Sequence, residues 1–168
     1  MEGQHHDQFP CDMIQGGAGT TTNMNANEVI ANRALQIMGH EAGEYQYCSP
    51  NDHVNCSQST NDAYPTAIHL GLYATHLKFM EHYELLIKSF EAKAEEFKDI
   101  LKMGRTQLED AVPMTLGQTF GAFASILRDE IRNINFAAEE FLTVNMGATA
   151  IGTGICSEPG YAEKCVAA

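Results

Sequence analysis

The stretch from Asp62 to Lys102, "DAYPTAIHLGLYATHLKFMEHYELLIKSFEAKAEEFKDILK", decides the fold class. Its apolar residues recur mostly at steps of three and four, which is the spacing of one face of an α-helix. They are Ile68, Leu72, Leu77, Met80, Leu86, Ile87, Phe90, Ala94, Phe97 and Leu101. Pro65 falls within the first turn if Asp62 is the N-cap residue, and proline is tolerated there. A continuous helix over this stretch would be roughly 60 Å long.

The same periodicity predicts a helix on either side of this stretch. The earlier one runs from Asn23 to Met38 and is followed by Gly39, where a C-cap glycine is common. The later one has an apolar face formed by Phe120, Phe123, Leu127, Ile131, Ile134, Ala138 and Phe141. No stretch shows the two-residue alternation of a half-buried strand. The sequence therefore predicts an all-α fold of long antiparallel helices.

Composition narrows the class of protein. The 168 residues are 44% hydrophobic and 19% charged, and no apolar run approaches the length of a membrane span. The net charge of -12 opposes binding to nucleic acid, whose phosphates require a basic surface. The five cysteines are odd in number and lack CxxC spacing, which favours reduced thiols over disulfides or zinc. We expect a cytoplasmic protein without membrane or nucleic-acid partners.

Three polar loops bring hydroxyl and amide groups to predicted helix starts. Their polar residues are Thr20, Thr21 and Thr22, then Ser59, Thr60 and Asn61, then Arg105, Thr106 and Gln107, with Thr115 nearer the third helix. Unpaired N–H groups and the positive end of the dipole make helix N-termini suitable for anions. Ordinary helix capping explains the same residue types. The pattern by itself leaves both interpretations open.

Four segments carry a resemblance to a known family. They are "QGGAGTTTNMNANEVIAN" from Gln15, "PNDHVNCSQSTNDAYPT" from Pro50, "MGRTQLEDAVPMTLGQ" from Met103 and "GATAIGTG" from Gly147. In these segments the sequence resembles the aspartase/fumarase superfamily, and within it the aspartate ammonia-lyases most closely. The resemblance implies long helices in the central bundle of a homotetramer. Residues 1–58 would end an N-terminal helical domain that carries a substrate loop, and residues 59–168 would form part of the bundle domain, truncated.

The resemblance also implies a reaction and its residues. A base removes the β-proton of L-aspartate, an aci-carboxylate intermediate forms, and fumarate and ammonia are released. Ser59 and Thr60 would hold the β-carboxylate, while Thr20 and Asn61 would contact the leaving amino group. Thr106 would bind the α-carboxylate, and Gln107 would lie near the amino group. No cofactor is implied; magnesium stimulates some relatives, but the sequence offers no ligand cluster for it.

Two departures from the family pattern bear on activity. Cys56 stands where relatives usually have lysine, which removes a cation beside the substrate residues. The family's "GSSxMPxKxNP" loop, which supplies the serine base, is absent from the 168 residues. We therefore assign no catalytic base within this chain and expect an internal fragment that is inactive by itself.

Two alternatives remain. The first is a fumarate hydratase that forms fumarate from malate, although "STNDAYPT" and "GRTQ" are more typical of ammonia-lyases. The second is a catalytically silent helical module that associates through its exposed apolar faces. Turnover of malate or self-association without turnover would separate these alternatives from the ammonia-lyase.

Overall fold

A computed structural model describes residues 4–14 and 16–168. Its α-helices are α1 (Thr20–Met38), α2 (Thr60–Glu96), α3 (Leu116–Glu139) and α4 (Tyr161–Ala167). Its strands are β1 (Leu101–Thr106) and β2 (Glu109–Thr115), and short helical turns cover His6–Gln8, Pro50–Val54 and Glu140–Leu142. Long helices dominate, which confirms the all-α prediction. None of the helices in the described ranges has the length and apolar character needed to cross a bilayer.

The chain forms two compact units. The first comprises the residues up to His69 together with Val144–Ala168, and the second comprises Leu70–Thr143. The domain boundary between residues 58 and 59 stays a prediction.

Helix α1 begins three residues earlier than predicted. Gly19, at φ 85°, is its N-cap, so Thr20 is the first helical residue rather than part of the preceding loop. Its end agrees with the prediction, because Gly39 adopts φ 87° and its N–H donates to the carbonyl of Gln36. Positive φ costs glycine little, which explains both termini.

Helix α2 ends at Glu96, not near Lys102, and a β-hairpin follows it. The expectation of a chain without strands was therefore wrong here. The backbone groups that a longer helix would have used are paired with the start of α3 instead. Gly117 donates its N–H to the carbonyl of Phe97 at 2.9 Å, and Leu116 donates to Ile100 at 2.8 Å. Such tertiary pairing commonly overrides local helix propensity.

The core of the second unit is aromatic. The Phe120 ring lies 5.4 Å from Phe97 and 5.9 Å from Phe90, and Phe123 contacts Phe90 edge-on at 5.7 Å. Ile87, in α2, is also buried. Aromatic pairs at these distances stabilise the folded state by more than the burial of their apolar area alone. Phenylalanines of the apolar faces predicted for α2 and α3 therefore meet within this unit, whereas Leu72, Leu77 and Leu86 of the predicted α2 face are exposed.

Candidate functional site

The first turn of α2 carries three of the predicted substrate residues. The Ser59 hydroxyl accepts a hydrogen bond from the N–H of Asn61 at 3.2 Å. The N–H of Ser59 in turn donates to Asp62 Oδ1 at 2.8 Å. The acid at the third helical position thus reaches back to the N-cap residue, as in a capping box, while the Ser59 hydroxyl caps the N–H of the second helical residue. Ser59 is therefore the N-cap, and the prediction that Asp62 caps this helix was wrong.

Asp62 has a further role that the sequence did not reveal. Its side chain is 0% exposed, and its Oδ2 accepts the N–H groups of Gly147 (3.2 Å) and Thr149 (2.8 Å). With Ser59, three main-chain N–H groups surround the carboxylate. A buried carboxylate requires such charge-assisted bonds, because its desolvation is otherwise very costly. Asp62 thereby joins the start of α2 to the "GATAIGTG" segment.

Asn61 makes two contacts with residues in, or just before, the "GATAIGTG" segment. Its side-chain Nδ2 donates to the carbonyl oxygen of Ala150 at 2.7 Å. Its main-chain carbonyl accepts from the Nδ2 of Asn145 at 3.0 Å. Two of the segments that carried the family resemblance are therefore in direct contact in the first unit.

Thr20 lies at the N-terminus of α1, close to the first turns of α2. The preceding Gly19 faces the ring of Tyr64, where an added Cβ would lie within 2.6 Å of three ring carbons. The N-cap residue is Gly19, which makes no side-chain cap bond, so Thr20 is not the N-cap of α1. The structure thus brings Thr20 to the same part of the first unit as Ser59, Thr60 and Asn61.

A cluster of three asparagines holds the loop before α2 against α1. Asn55 Oδ1 accepts from the side chains of Asn27 at 2.9 Å and Asn23 at 3.3 Å. The Asn55 Nδ2 donates to the carbonyl of Gln58, one residue before Ser59. This cluster was not predicted from the sequence, although the four-residue spacing of Asn23 and Asn27 places both on one helix face.

Thr106 and Gln107 lie in the second unit, at the tip of the hairpin formed by β1 and β2. Gln107 and Leu108 form the turn at φ 47° and 71°, and all three residues are exposed. Arg105 pairs with Asp110 across the strands at 3.3 Å. The side chain of Thr115 is committed to a capping box with Gln118 at the start of α3. Ordinary helix capping, one of the two interpretations of the polar loops, therefore explains Thr115.

Helix α4 lies close to the Asp62 region. Burial raises the pKa of Tyr161 to about 12, assisted by a hydrogen bond with Cys165, while Gln58 acts in the opposite direction. Ala162 approaches Gly147 closely, because a Cβ added to that glycine would lie 2.7 Å from the Ala162 Cβ. Within residues 4–14 and 16–168, no group of three or more His, Cys, Asp or Glu side chains is arranged to hold a metal ion.

The sequence profile of the Lyase family matches residues 1–168. The chain belongs to this lyase family. This lyase chain is 60% identical over 162 residues to the aspartate ammonia-lyase of Pseudomonas canavaninivorans, covering 96% of the chain and 34% of the relative. It is 57% identical over 164 residues to the aspartate ammonia-lyase of Escherichia coli K12, covering 98% and 34%. The chain thus spans about a third of the length of these relatives. The recognised resemblance is confirmed.

The lyase chain has the fold of solved fumarate lyase and fumarase structures. The fumarate lyase:delta crystallin of Brucella melitensis bound to cobalt superimposes with a TM-score of 0.89 at 52% identity, covering 98% of this chain and 36% of that one. The class II fumarase of Schistosoma mansoni gives 0.85 at 38% identity, covering 98% and 35%. Both comparisons agree with the long-helix architecture predicted from the apolar periodicity.

Proposed function

We propose that the protein carrying this chain is an ammonia-lyase that converts L-aspartate to fumarate and ammonia. The observation that carries the proposal is the first turn of α2, where Ser59, Thr60 and Asn61 follow one another at a helix N-terminus. Identities of 57–60% to aspartate ammonia-lyases over nearly the whole chain support the choice of substrate.

In this proposal the hydroxyls of Ser59 and Thr60 bind the β-carboxylate of L-aspartate. The Ser59 oxygen accepts from the Asn61 N–H, which leaves its own proton to be donated to an anion. Removal of the β-proton adds negative charge to this carboxylate, forming the aci-carboxylate. Fixed donors and the positive end of α2 stabilise that charge more than they stabilise the substrate. Neutral donors achieve this despite a net charge of -12.

Four further contacts belong to the proposal. Thr20 and Asn61 bind the leaving amino group. Thr106 binds the α-carboxylate, and Gln107 lies near the amino group. In this proposal the base is the serine of the family's "GSSxMPxKxNP" loop, and the residues named here bind and orient substrate. No cofactor enters the proposed reaction.

Assembly and location follow from the same family. We expect a homotetramer with a shared helical bundle, supported by the many exposed apolar residues on α2 and α3, such as Leu85, Ile126 and Phe136. A cytoplasmic location is supported by five free cysteines, because reducing compartments preserve thiols.

The test is fumarate formation, followed by ultraviolet absorbance. The chain alone is expected to form none from L-aspartate, whereas co-expression with the remaining two thirds of a relative such as the Escherichia coli enzyme restores turnover. Ser59→Ala is expected to lower the restored kcat by roughly a hundredfold, the usual effect of losing one donor to a developing anion. Ser125→Ala, on the exposed side of α3, is the matched control.

Fumarate hydratase is the second candidate, favoured by the likeness to the Schistosoma mansoni class II fumarase. The complemented protein should therefore also be offered L-malate. Turnover of L-malate without turnover of L-aspartate would refute the ammonia-lyase proposal. Self-association of the chain, with no turnover even after complementation, would favour the silent helical module.

A further inference from the structure

The orientation of the Asn61 side chain is determined by a carbonyl group. An amide has a donor end and an acceptor end, and a carbonyl oxygen can only accept. Because Asn61 lies 2.7 Å from the Ala150 carbonyl, its Nδ2 must face Ala150. The Oδ1 atom is therefore the end of the amide left to meet a ligand, and it is an acceptor.

An acceptor at this position suits an amino group. The ammonium of L-aspartate presents charged N–H donors, and hydrogen bonds with a charged partner are roughly twice as strong as neutral ones. A reversed amide would present N–H groups to that ammonium and would repel it. The Ala150 carbonyl consequently decides whether Asn61 attracts or repels the group that leaves.

The position of Ala150 depends in turn on Asp62. The buried carboxylate accepts from the N–H groups of Gly147 and Thr149, which lie three residues and one residue before Ala150. Thr149 has φ 59°, a left-handed conformation that a β-branched residue keeps only where its surroundings impose it. The N–H of Thr149 donates to Asp62 at 2.8 Å, so the carboxylate is one of the groups that hold this conformation.

We infer that Asp62 is a positioning residue for the substrate site. It fixes Gly147 and Thr149 so that the Ala150 carbonyl orients the Asn61 amide with Oδ1 toward the ligand. Through the N–H of Ser59 it also holds the residue proposed to bind the β-carboxylate. The inference rests on the proposed function for the identity of the ligand, whereas the orientation of Asn61 does not.

The experiment measures the Asn61 amide directly by nuclear magnetic resonance of the 168-residue chain. In the wild type we expect a scalar coupling across the hydrogen bond from Asn61 Nδ2 to the Ala150 carbonyl. We also expect its side-chain protons to exchange with solvent about tenfold more slowly than those of exposed Asn51. Asp62→Asn removes the charge and places an amide where N–H groups converge, so both signatures should disappear.

Asp129→Asn makes the same chemical change on an exposed part of α3 and should leave both signatures intact. If Asp62→Asn loses its helical circular dichroism, Asp62→Glu is measured in the same way, because a longer side chain cannot keep all three N–H bonds in place. Persistence of the coupling in a folded Asp62 variant, or its absence from the wild type, would overturn the inference.

A second readout uses the complemented enzyme. The ratio of the affinity for L-aspartate to that for fumarate, which lacks the amino group, should fall roughly tenfold in Asp62→Asn. An unchanged ratio would contradict the inference. If instead the wild-type enzyme makes no fumarate while the Asn61 amide is ordered and is released by Asp62→Asn, the positioning role stands and the proposed function fails.

Discussion

The side-chain amide of Asn145 donates a hydrogen bond to the main-chain carbonyl oxygen of Asn61, 3.0 Å away. In an ordinary α-helix that carbonyl would accept from the N–H four residues later. The fourth residue is Pro65, which lies inside α2 and has no N–H. Asn145 thus supplies, from 84 positions away, the donor that the proline removes.

Because the Asn145 amide takes the place of the N–H that Pro65 lacks, we expect the effects of mutating Pro65 and Asn145 on stability to be coupled. Asn145→Ala should lower the free energy of unfolding by about 0.5–1 kcal/mol, the usual net value of a hydrogen bond. In a Pro65→Ala background the restored N–H can bond the Asn61 carbonyl, so Asn145→Ala should cost less. Urea unfolding of the four proteins in a double-mutant cycle measures the difference. Equal costs in the two backgrounds would show that the two residues are independent.

Gly19 and Gly43 form a matched pair of glycines. Both have positive φ, at 85° and 88°, but only Gly19 faces a side chain, the ring of Tyr64. Gly43→Ala should cost about 1 kcal/mol for conformation alone. Gly19→Ala should cost about 2–4 kcal/mol, because the Tyr64 ring must also move. Thermal unfolding of the two variants measures this difference, and similar melting temperatures would contradict the close approach.

Gly117 and Gly121, both in α3, are expected to respond with opposite signs. A Cβ on Gly117 would lie 2.6 Å from the main-chain Cα of Lys98, so Gly117→Ala should destabilise by about 2 kcal/mol or more. At Gly121 the nearest atom is the Ala94 Cβ at 3.8 Å, an ordinary contact. Gly121→Ala should therefore stabilise by about 0.5–1 kcal/mol through helix propensity. Chemical denaturation tests both, and stabilisation by Gly117→Ala would be inconsistent with this packing.

Tyr161 predicts a loss of stability at high pH. Its pKa is raised from 10.0 to about 12, so the folded chain keeps a proton that the unfolded chain releases between these values. The contribution of Tyr161 is complete below pH 10 and is lost as the pH rises toward 12. The free energy of unfolding of the wild type should therefore fall more steeply in that window than that of Tyr161→Phe. Ultraviolet difference titration of the two proteins should place the ionisation near pH 12. An ionisation near pH 10 would exclude the raised pKa.

The long helices were predictable because their apolar residues recur at steps of three and four. Phe90 and Phe120 recur at helical spacing, and their rings meet in the second unit. The hairpin was not predictable, because most residues of both strands are exposed and show no alternation. Its turn is formed by Gln107 and Leu108 rather than by the Asn-Gly pair that usually signals such turns.

The candidate site was predictable in its residue types but not in its supports. The hydroxyls and amides of Ser59, Thr60 and Asn61 stand out in the sequence, and their roles toward substrate stay a prediction. The function of Asp62 depends on Gly147 and Thr149, which lie 85 and 87 positions away. Local sequence patterns carry no information about contacts at that separation, so the sequence predicted only a capping role for Asp62.

The same separation predicts an order of events during folding. The contact of Asn55 with Asn27 closes a loop of 28 residues, whereas that of Asp62 with Thr149 must close one of 87. Longer loops cost more chain entropy, and long-range contacts slow folding. Until Gly147 and Thr149 arrive, Asp62 has only the N-cap as a partner and its carboxylate must stay in water. We therefore expect the region of α1 and Asn55 to assemble first, and the start of α2 to acquire its final surroundings only after synthesis has passed Thr149.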